Sequence, residues 1–437
     1  MAKELAFVLI NPYPIRKSRT GGIIARYLVR TDLKLVGARI IGASAALANA
    51  FADYLSTYDP SDPEKCALFS SYVRRAYAPD EASGRPHRSI LLLFEGEDAV
   101  RKIFEVTGSI RQRWCSGQTI RDTYGDLVRD PKTGHIEYFE PAVLVGATTK
   151  VVGEILTLWM RHLPSDAGIV RGAMDVPGGE DVQQTLVMLK PDNWRQPSLR
   201  AGNIMDLVSS TGLRIVGVKK FAMSVAQAED FYGPVRENLK RIFKHFGADR
   251  AAQALSREFG FPVDAALMGG LCDYLAPLFA EREFENIVEF MTGRRPSNCL
   301  PEERVKPGTE ECLAIVYEGV DAVNKIRDIL GATDPLKARP GSIRREFGTN
   351  IMVNAAHASD SAENARREMR ILDVARDPHF EGLTLTSPTG SRSTGRTRPQ
   401  RRAPRAVQPQ GLLQQPARLW RKPWPCPPDQ PRTRSRC

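Results

Sequence analysis

The 437-residue chain predicts an α+β protein built from two copies of one βαββαβ unit. Each copy is expected to be an antiparallel sheet with helices over one face. Three observations predict it. Segments recur in the same order along the chain, strand-length apolar runs alternate with helical spacing, and the excess positive charge sits in the last fifty residues. In the first of these, LLLFEGEDAVRKI at 91–103 matches LAIVYEGVDAVNKI at 313–326, pairing Glu95-Gly96 with Glu318-Gly319 and Ala99-Val100 with Ala322-Val323. LKLVGARIIGAS at 33–44 matches LRIVGVKKFAMS at 213–224, and LAFVLINPYP at 5–14 matches QTLVMLKPDN at 184–193. TIRDTYG at 119–125 matches SIRREFG at 342–348. Four matches in one order mean a duplicated domain.

The second copy shows the elements most clearly. TLVMLKP is an apolar run of strand length. AGNIMDLVSSTG has helical spacing and stops at Gly212. LRIVGVKKF alternates as a strand does, and CLAIVYEG reads as a buried strand. DAVNKIRDILG is a helix closed by Gly331. TNIMVNAAH is expected as the last strand and SDSAENARREMRIL as the closing helix, with Asp360 and Glu363 spaced for an N-terminal cap. Between Tyr232 and Cys312 this copy carries extra sequence with the look of a helical hairpin. The predicted organisation is a first domain over 1–165, a linker over 166–183 and a second domain over 184–375, with an insertion at about 234–305 and a tail over 376–437.

Composition narrows the class. Hydrophobic content of 42% and charged content of 26% fit a soluble globular protein. No apolar run approaches the roughly 20 residues that span a bilayer, and the N-terminus is too short in apolar sequence for a signal peptide. The seven cysteines show no CxxC spacing, which argues against a zinc site and suits a reducing cytoplasm. Of the net charge of +11, all is accounted for by the stretch from Pro388 onward, which has twelve Arg or Lys and one acid, Asp429. That Pro/Arg-rich tail is expected to be disordered, and it is the only segment expected to bind nucleic acid.

The second copy also carries a constellation. Asn354-Ala-Ala-His357-Ala-Ser-Asp-Ser361 places a histidine among small residues just before the closing helix. Upstream lie LKPD with Lys190, RDILGATDP with Arg327 and Thr333, and GSIRREF with Arg344. Alone, each would be an ordinary surface or core residue; the ordered set is what carries weight. A histidine nucleophile needs one ring nitrogen open and the other held by a partner. Phosphoryl transfer needs fixed positive charge around the transferred group.

This copy resembles the nucleoside diphosphate kinases. The family signature Asn-x-x-His-Gly-Ser-Asp-Ser is met except at Ala358, where the family has glycine. The resemblance covers roughly 184–374, interrupted by the insertion, and 4–160 more weakly. It implies two ferredoxin-like βαββαβ domains and transfer of the γ-phosphate of ATP to nucleoside diphosphates through phospho-His357. It implies Mg²⁺ bound through the nucleotide phosphates. By the same resemblance Glu368 orients the imidazole, and Lys190, Arg327 and Arg344 hold phosphates. Asn354, Thr333 and Tyr232 complete the nucleotide site, and Arg339-Pro340-Gly341 fall in the family's subunit-contact loop. The aromatic that stacks on the base in the family corresponds to Glu283 here, so that stacking is expected from its neighbour Phe284, from the insertion, or from neither. Partners implied are ATP, nucleoside diphosphates, and either a homo-oligomer or intramolecular pairing of the two copies.

The first copy departs from the pattern. It has Asn11 at the lysine position, Phe104 at the first arginine position and Leu144 opposite His357, while Arg121 survives. It is expected to be catalytically dead. The alternative reading of the whole chain is a nucleotide-binding regulatory protein with little turnover.

Overall fold

The computed structural model describes residues 3–110, 116–173, 181–377 and Phe380. The tail from 381 onward, including the whole basic segment, and part of the expected linker lie outside the described residues. Ten strands are described. They are β1 (Glu4–Ile10), β2 (Lys34–Gly42), β3 (Arg88–Gly96), β4 (Asp126–Arg129), β5 (Ile136–Glu140), β6 (Val143–Val145), β7 (Val182–Leu189), β8 (Arg214–Phe221), β9 (Cys312–Val320) and β10 (Ala356–Ala358). Eight of them form one sheet in the order β10-β7-β9-β8-β2-β3-β1-β6, and β4 and β5 form a separate hairpin.

Each half contributes four strands in the same internal order, and all described pairings are antiparallel. The two copies are therefore not beads on a string: residues Met1–Ser387 make one compact unit. Central strands are apolar on both faces; Phe7 to Ile10, Ile90 to Phe94, Leu186 to Leu189 and Leu313 to Tyr317 are all buried. The same irregularity appears in both halves, a register shift between Leu35 and Gly37 against β3 and between Ile215 and Gly217 against β9.

The seam is where β2 meets β8, with Arg39 opposite Lys219. These are corresponding residues of the two copies, so an approximate two-fold axis passes between them. Both are buried, and neither is left without acceptors: Arg39 Nη2 donates to Ala375 O at 2.8 Å, and Lys219 Nζ donates to Leu372 O and Asp373 O at 2.8 and 2.9 Å. Carbonyls just past a helix C-terminus are good partners for buried cations. Residues 167–170, expected as linker, instead run along this seam, with Val170 N donating to Val216 O and bridges from Ala167 to Ile41 and from Ile169 to Gly217.

Over the seam, helix Thr20–Arg30 crosses helix Arg200–Ser209. The crossing is made by corresponding glycines. A Cβ on Gly202 would lie 2.2 Å from Gly21 O, and a Cβ on Gly21 would lie 2.2 Å from Gly202 O.

Three expectations change in detail. The last strand is only three residues, because Asn350 Oδ1 accepts from the backbone of Met352 and Val353 and turns the chain, and Ala355 sits at φ 71°. The closing helix, Ala362–Ile371, is capped by Ser361, whose hydroxyl accepts from Asn364 N at 3.0 Å; the Asp360 carboxylate is taken by the Asn364 side chain. The extra sequence does form a hairpin of helices, Val235–Phe259 and Gly269–Thr292, but the second helix ends in the core through Phe284, Val288 and Met291.

The glycine crossing gives a direct test. Gly202→Ala should lower stability by about 1–3 kcal/mol in chemical denaturation, since the backbones must part. Gly153→Ala, in a helix where a Cβ meets nothing within 4 Å, should be neutral or stabilising by up to about 1 kcal/mol.

Candidate active site

The site is built at the β7/β10 edge of the second half. β10 pairs with β7 so that His357 lies opposite Met188, and Lys190 follows directly after β7. The loop before β10 is anchored by Lys190 N donating to Ala355 O at 3.0 Å and by Asn193 Nδ2 donating to the same carbonyl at 2.7 Å. Pairing and loop together fix the histidine beside the lysine.

His357 is held from both sides. Its Nε2 lies 3.0 Å from Glu368 Oε2, and the Ser359 hydroxyl donates to that same oxygen at 2.6 Å. Ser359 is fully buried and Glu368 nearly so. Phe231 and Tyr232 meet the ring edge-on, with centroids 5.0 and 6.0 Å away. The carboxylate selects the tautomer with the proton on Nε2, and leaves Nδ1 with its lone pair. The His357 side chain keeps 21% exposure, so a ligand can reach it. Ala358 is in the strand and is not among the positive-φ residues, so the methyl in place of the family's glycine costs no backbone strain.

Positive charge is crowded next to the ring. Lys190 is pulled down to about 8, first by burial and then by Arg344. Arg344 is pulled down to about 10, by burial and by Arg327. Arg344 Nη1 and Nη2 donate to Gly331 O and Ala356 O, while its Nε has no partner among the described residues. Arg327 is exposed and donates to Asp360 O at 3.2 Å. Lys190 and Arg344 are each held down by a neighbouring cation, a repulsion that a bound anion relieves.

Two predicted residues have different surroundings from those expected. Asn354 is buried, and its carboxamide is taken by protein: Oδ1 accepts from Lys190 Nζ at 2.7 Å, and Nδ2 donates to Thr333 O and Ile351 O. Its side-chain oxygen holds the Lys190 ammonium in place. Phe284 is a correction. It is wholly buried, with the Arg236 guanidinium 3.4 Å from its ring centre, so it has no face for a base. Adjacent helix positions point about 100° apart, and it is the half-exposed Glu283 that looks outward. Tyr232 remains by the histidine, its hydroxyl buried, unpartnered among the described residues and held protonated by burial. Thr333 is exposed on the loop beside Asn354. Ser359 and Phe231 were missed as site residues; Ser359 was legible inside the signature, whereas Phe231 has no motif.

In the first half the corresponding place is filled. Leu144 pairs with Leu9 as His357 pairs with Met188, and it is buried. Around Asn11, which stands where Lys190 does, Tyr72 Oη donates to both Glu140 oxygens at 2.7 and 2.9 Å, and Asn11 Nδ2 donates to Glu140 Oε1. Tyr77 Oη donates to Asn11 Oδ1 at 2.5 Å. Burial pushes the Glu140 carboxyl up and these donors hold it back. The place of the lysine and the histidine has become a hydrogen-bonded polar core, and of the three cations of the other half only the counterpart of Arg344, the buried Arg121, remains.

The comparisons follow this geometry. The family model described as nucleoside diphosphate kinase matches residues 303–373, which span Arg327, Arg344, His357 and Glu368. The nucleoside diphosphate kinase of Helicobacter pylori (strain Shi470) is 31% identical over 195 residues, 45% of this chain and 98% of that protein. The chain belongs to the nucleoside diphosphate kinase family. The enzyme of that name from Campylobacter hominis is 30% identical over 196 residues, 45% of this chain and 98% of its own. A solved structure of the Aquifex aeolicus nucleoside diphosphate kinase shares 28% identity, covering 44% of this chain and 95% of that one, with a TM-score of 0.28.

The depressed Lys190 sets a pH dependence. In the ligand-free protein its ammonium is lost as pH rises through about 8, so ADP affinity should fall across that range. Calorimetric titration at pH 7 and pH 9 checks this, and Lys190→Met should flatten the difference. Stability moves the other way: Lys190 is easier to deprotonate folded than unfolded, so its destabilising effect is present below pH 8 and relieved between about 8 and 10.5.

Proposed function

We propose that the second half is a working nucleoside diphosphate kinase site and that the first half is its non-catalytic partner, divided as 1–165 and 184–375. The observation that carries this is the pair His357–Glu368 set beside Lys190 and Arg344, two cations each held down by burial and by a neighbouring cation. Nδ1 attacks the γ-phosphorus of a nucleoside triphosphate. The bond from that phosphorus to the bridging oxygen breaks, and the nucleoside diphosphate leaves with the electron pair. Glu368 stabilises the positive ring that forms, and Ser359 fixes the carboxylate. Lys190, Arg327 and Arg344 face the oxygens on which charge spreads. An incoming diphosphate then attacks through its terminal oxygen, the phosphorus–nitrogen bond breaks, and the ring returns to neutral.

The donor set fits a metal nucleotide better than a bare cation. No group of three or more His, Cys, Asp or Glu gathers as a cage among the described residues, and the local side chains are mostly cationic. Mg²⁺ would be held by phosphate oxygens and water, where it neutralises charge on the leaving diphosphate. No helix among the described residues is long and apolar enough to cross a membrane.

Initial rates at several ATP and diphosphate concentrations should give parallel double-reciprocal lines, the pattern of a substituted-enzyme mechanism. His357→Ala should abolish transfer, by at least about 10³-fold, with ADP binding retained in calorimetry. Intersecting lines, or transfer that survives His357→Ala, would contradict the proposal. Glu368→Gln should lower kcat more than it raises KM, because it acts on the ring and not on the nucleotide.

A further inference from the structure

The approximate two-fold axis creates two matching pockets at the seam, and they have diverged in charge. One, of about 200 Å³, is lined by Lys34, Lys220 and Glu311. Glu311 bonds both lysines, at 2.6 and 2.9 Å. Beside it, Arg195 pairs with Glu310 at 3.1 Å. The basic groups there are neutralised within the protein.

The other pocket, about 320 Å³, sits at the corresponding place and is lined by Arg16, Arg88 and Arg214. The registers fix the correspondence. Ile41 pairs with Ser89 as Phe221 pairs with Cys312, so His87 and Arg88 stand where Glu310 and Glu311 stand. Arg214 stands where Lys34 does, and Arg16 where Arg195 does. Both acids have thus become basic residues, while of the cations they pair with, the counterparts of Lys34 and Arg195 are arginines and that of Lys220 is Ile40. Arg88 is buried and donates to Ile215 O at 2.6 Å, and Arg214 donates to Ala173 O at 2.7 Å. None of the three arginines makes an ion pair among the described residues. Arg88 is pulled down to about 10 by burial and then by Arg214. The acid on the wall, Asp206, is occupied by the backbone N–H groups of Gly21 and Gly22, and burial lifts it to about 6.

Two hydroxyls point to the same conclusion independently. Tyr317 and Thr20 are among the residues lining this pocket, and their hydroxyls are buried with no hydrogen-bond partner among the described residues. By register, Phe94 stands where Tyr317 does, and Ala201 stands where Thr20 does. The charged pocket has gained donors at two positions where its mate is apolar. A buried hydroxyl without a partner costs free energy that a ligand oxygen returns.

We infer that the seam pocket walled by Arg16, Arg88, Arg214, Tyr317 and Thr20 binds a phosphate-bearing small molecule, at a site separate from His357. Guanidinium groups suit the multiple oxygens of such an anion. The apolar wall of Ile15, Met205 and Leu213 accommodates an uncharged part. The ligand bridges β3 of the first half and β8–β9 of the second, and so ties the halves together.

The test is calorimetric titration of the full chain with pyrophosphate and with ADP. To remove the nucleotide site, Lys190→Ala and Arg327→Ala are combined. That protein should still bind pyrophosphate at one site, and adding Arg16→Gln should weaken it on the order of tenfold. Arg88→Glu, which recreates the acid of the neutral pocket, should abolish it. ADP binding in the same background would mark a nucleotide as the occupant; pyrophosphate binding without ADP binding would mark a smaller phosphate compound. If the doubly substituted protein does not fold, Arg88→Glu in the otherwise native chain should lower pyrophosphate stoichiometry by one. The inference fails if the folded double variant binds no pyrophosphate, or if Arg16→Gln and Arg88→Glu leave binding unchanged. It equally fails if stoichiometry is the same with and without Arg88→Glu.

Discussion

The pairing of β2 with β8 is the contact on which the rest of the molecule depends. It turns two four-stranded half-sheets into one eight-stranded sheet, and so removes an edge from each. Its geometry admits little slack. Two glycines let the helices above it touch backbone to backbone, and two buried cations beneath it are met by carbonyls at residues 372–375. Those carbonyls follow the helix that carries Glu368, so the chain segment that closes the seam also holds the carboxylate beside His357.

That arrangement explains why a first half without a nucleophile persists as structure. Its β2 covers the edge that β8 would otherwise expose, and its lost site has been rebuilt as core. Replacing a cation by Asn11 and surrounding Glu140 with tyrosine hydroxyls exchanges a charge-binding cleft for a satisfied network. The two halves thus show two fates of one geometry: an open cationic cleft beside His357, and a sealed polar core beside Leu144. The seam pockets repeat the lesson with charge, since two acid-to-base exchanges at adjacent positions, His87 and Arg88 for Glu310 and Glu311, decide whether arginines are neutralised from within.

Much of this was legible in the sequence. The duplicated strands and the alignment of Leu144 with His357 follow from order and spacing, the histidine signature from the family resemblance, and the sheet order agrees with the duplication. Phe284 was misjudged because neighbouring positions on a helix face different ways, and only the packing shows which one is buried. The last strand came out short because a side-chain turn at Asn350 competes with extended backbone. The network around Glu140 gave no signal, since Tyr72 and Tyr77 lie on a helix, Pro63–Tyr77, whose sequence has no match in the helix Gly269–Thr292 that precedes β9 in the other copy. The seam pockets were hidden for a related reason: their charges meet only after strands far apart in sequence are paired.

The most direct measurement of the central claim is the fate of the γ-phosphate. The protein would be incubated with γ-labelled ATP and Mg²⁺, separated from nucleotide, mapped by mass spectrometry under neutral conditions, and chased with GDP. The account predicts one acid-labile phosphate, on His357 and absent from the first half, that passes quantitatively to GTP. Label on any other residue, or a phosphohistidine that GDP does not discharge, would contradict it.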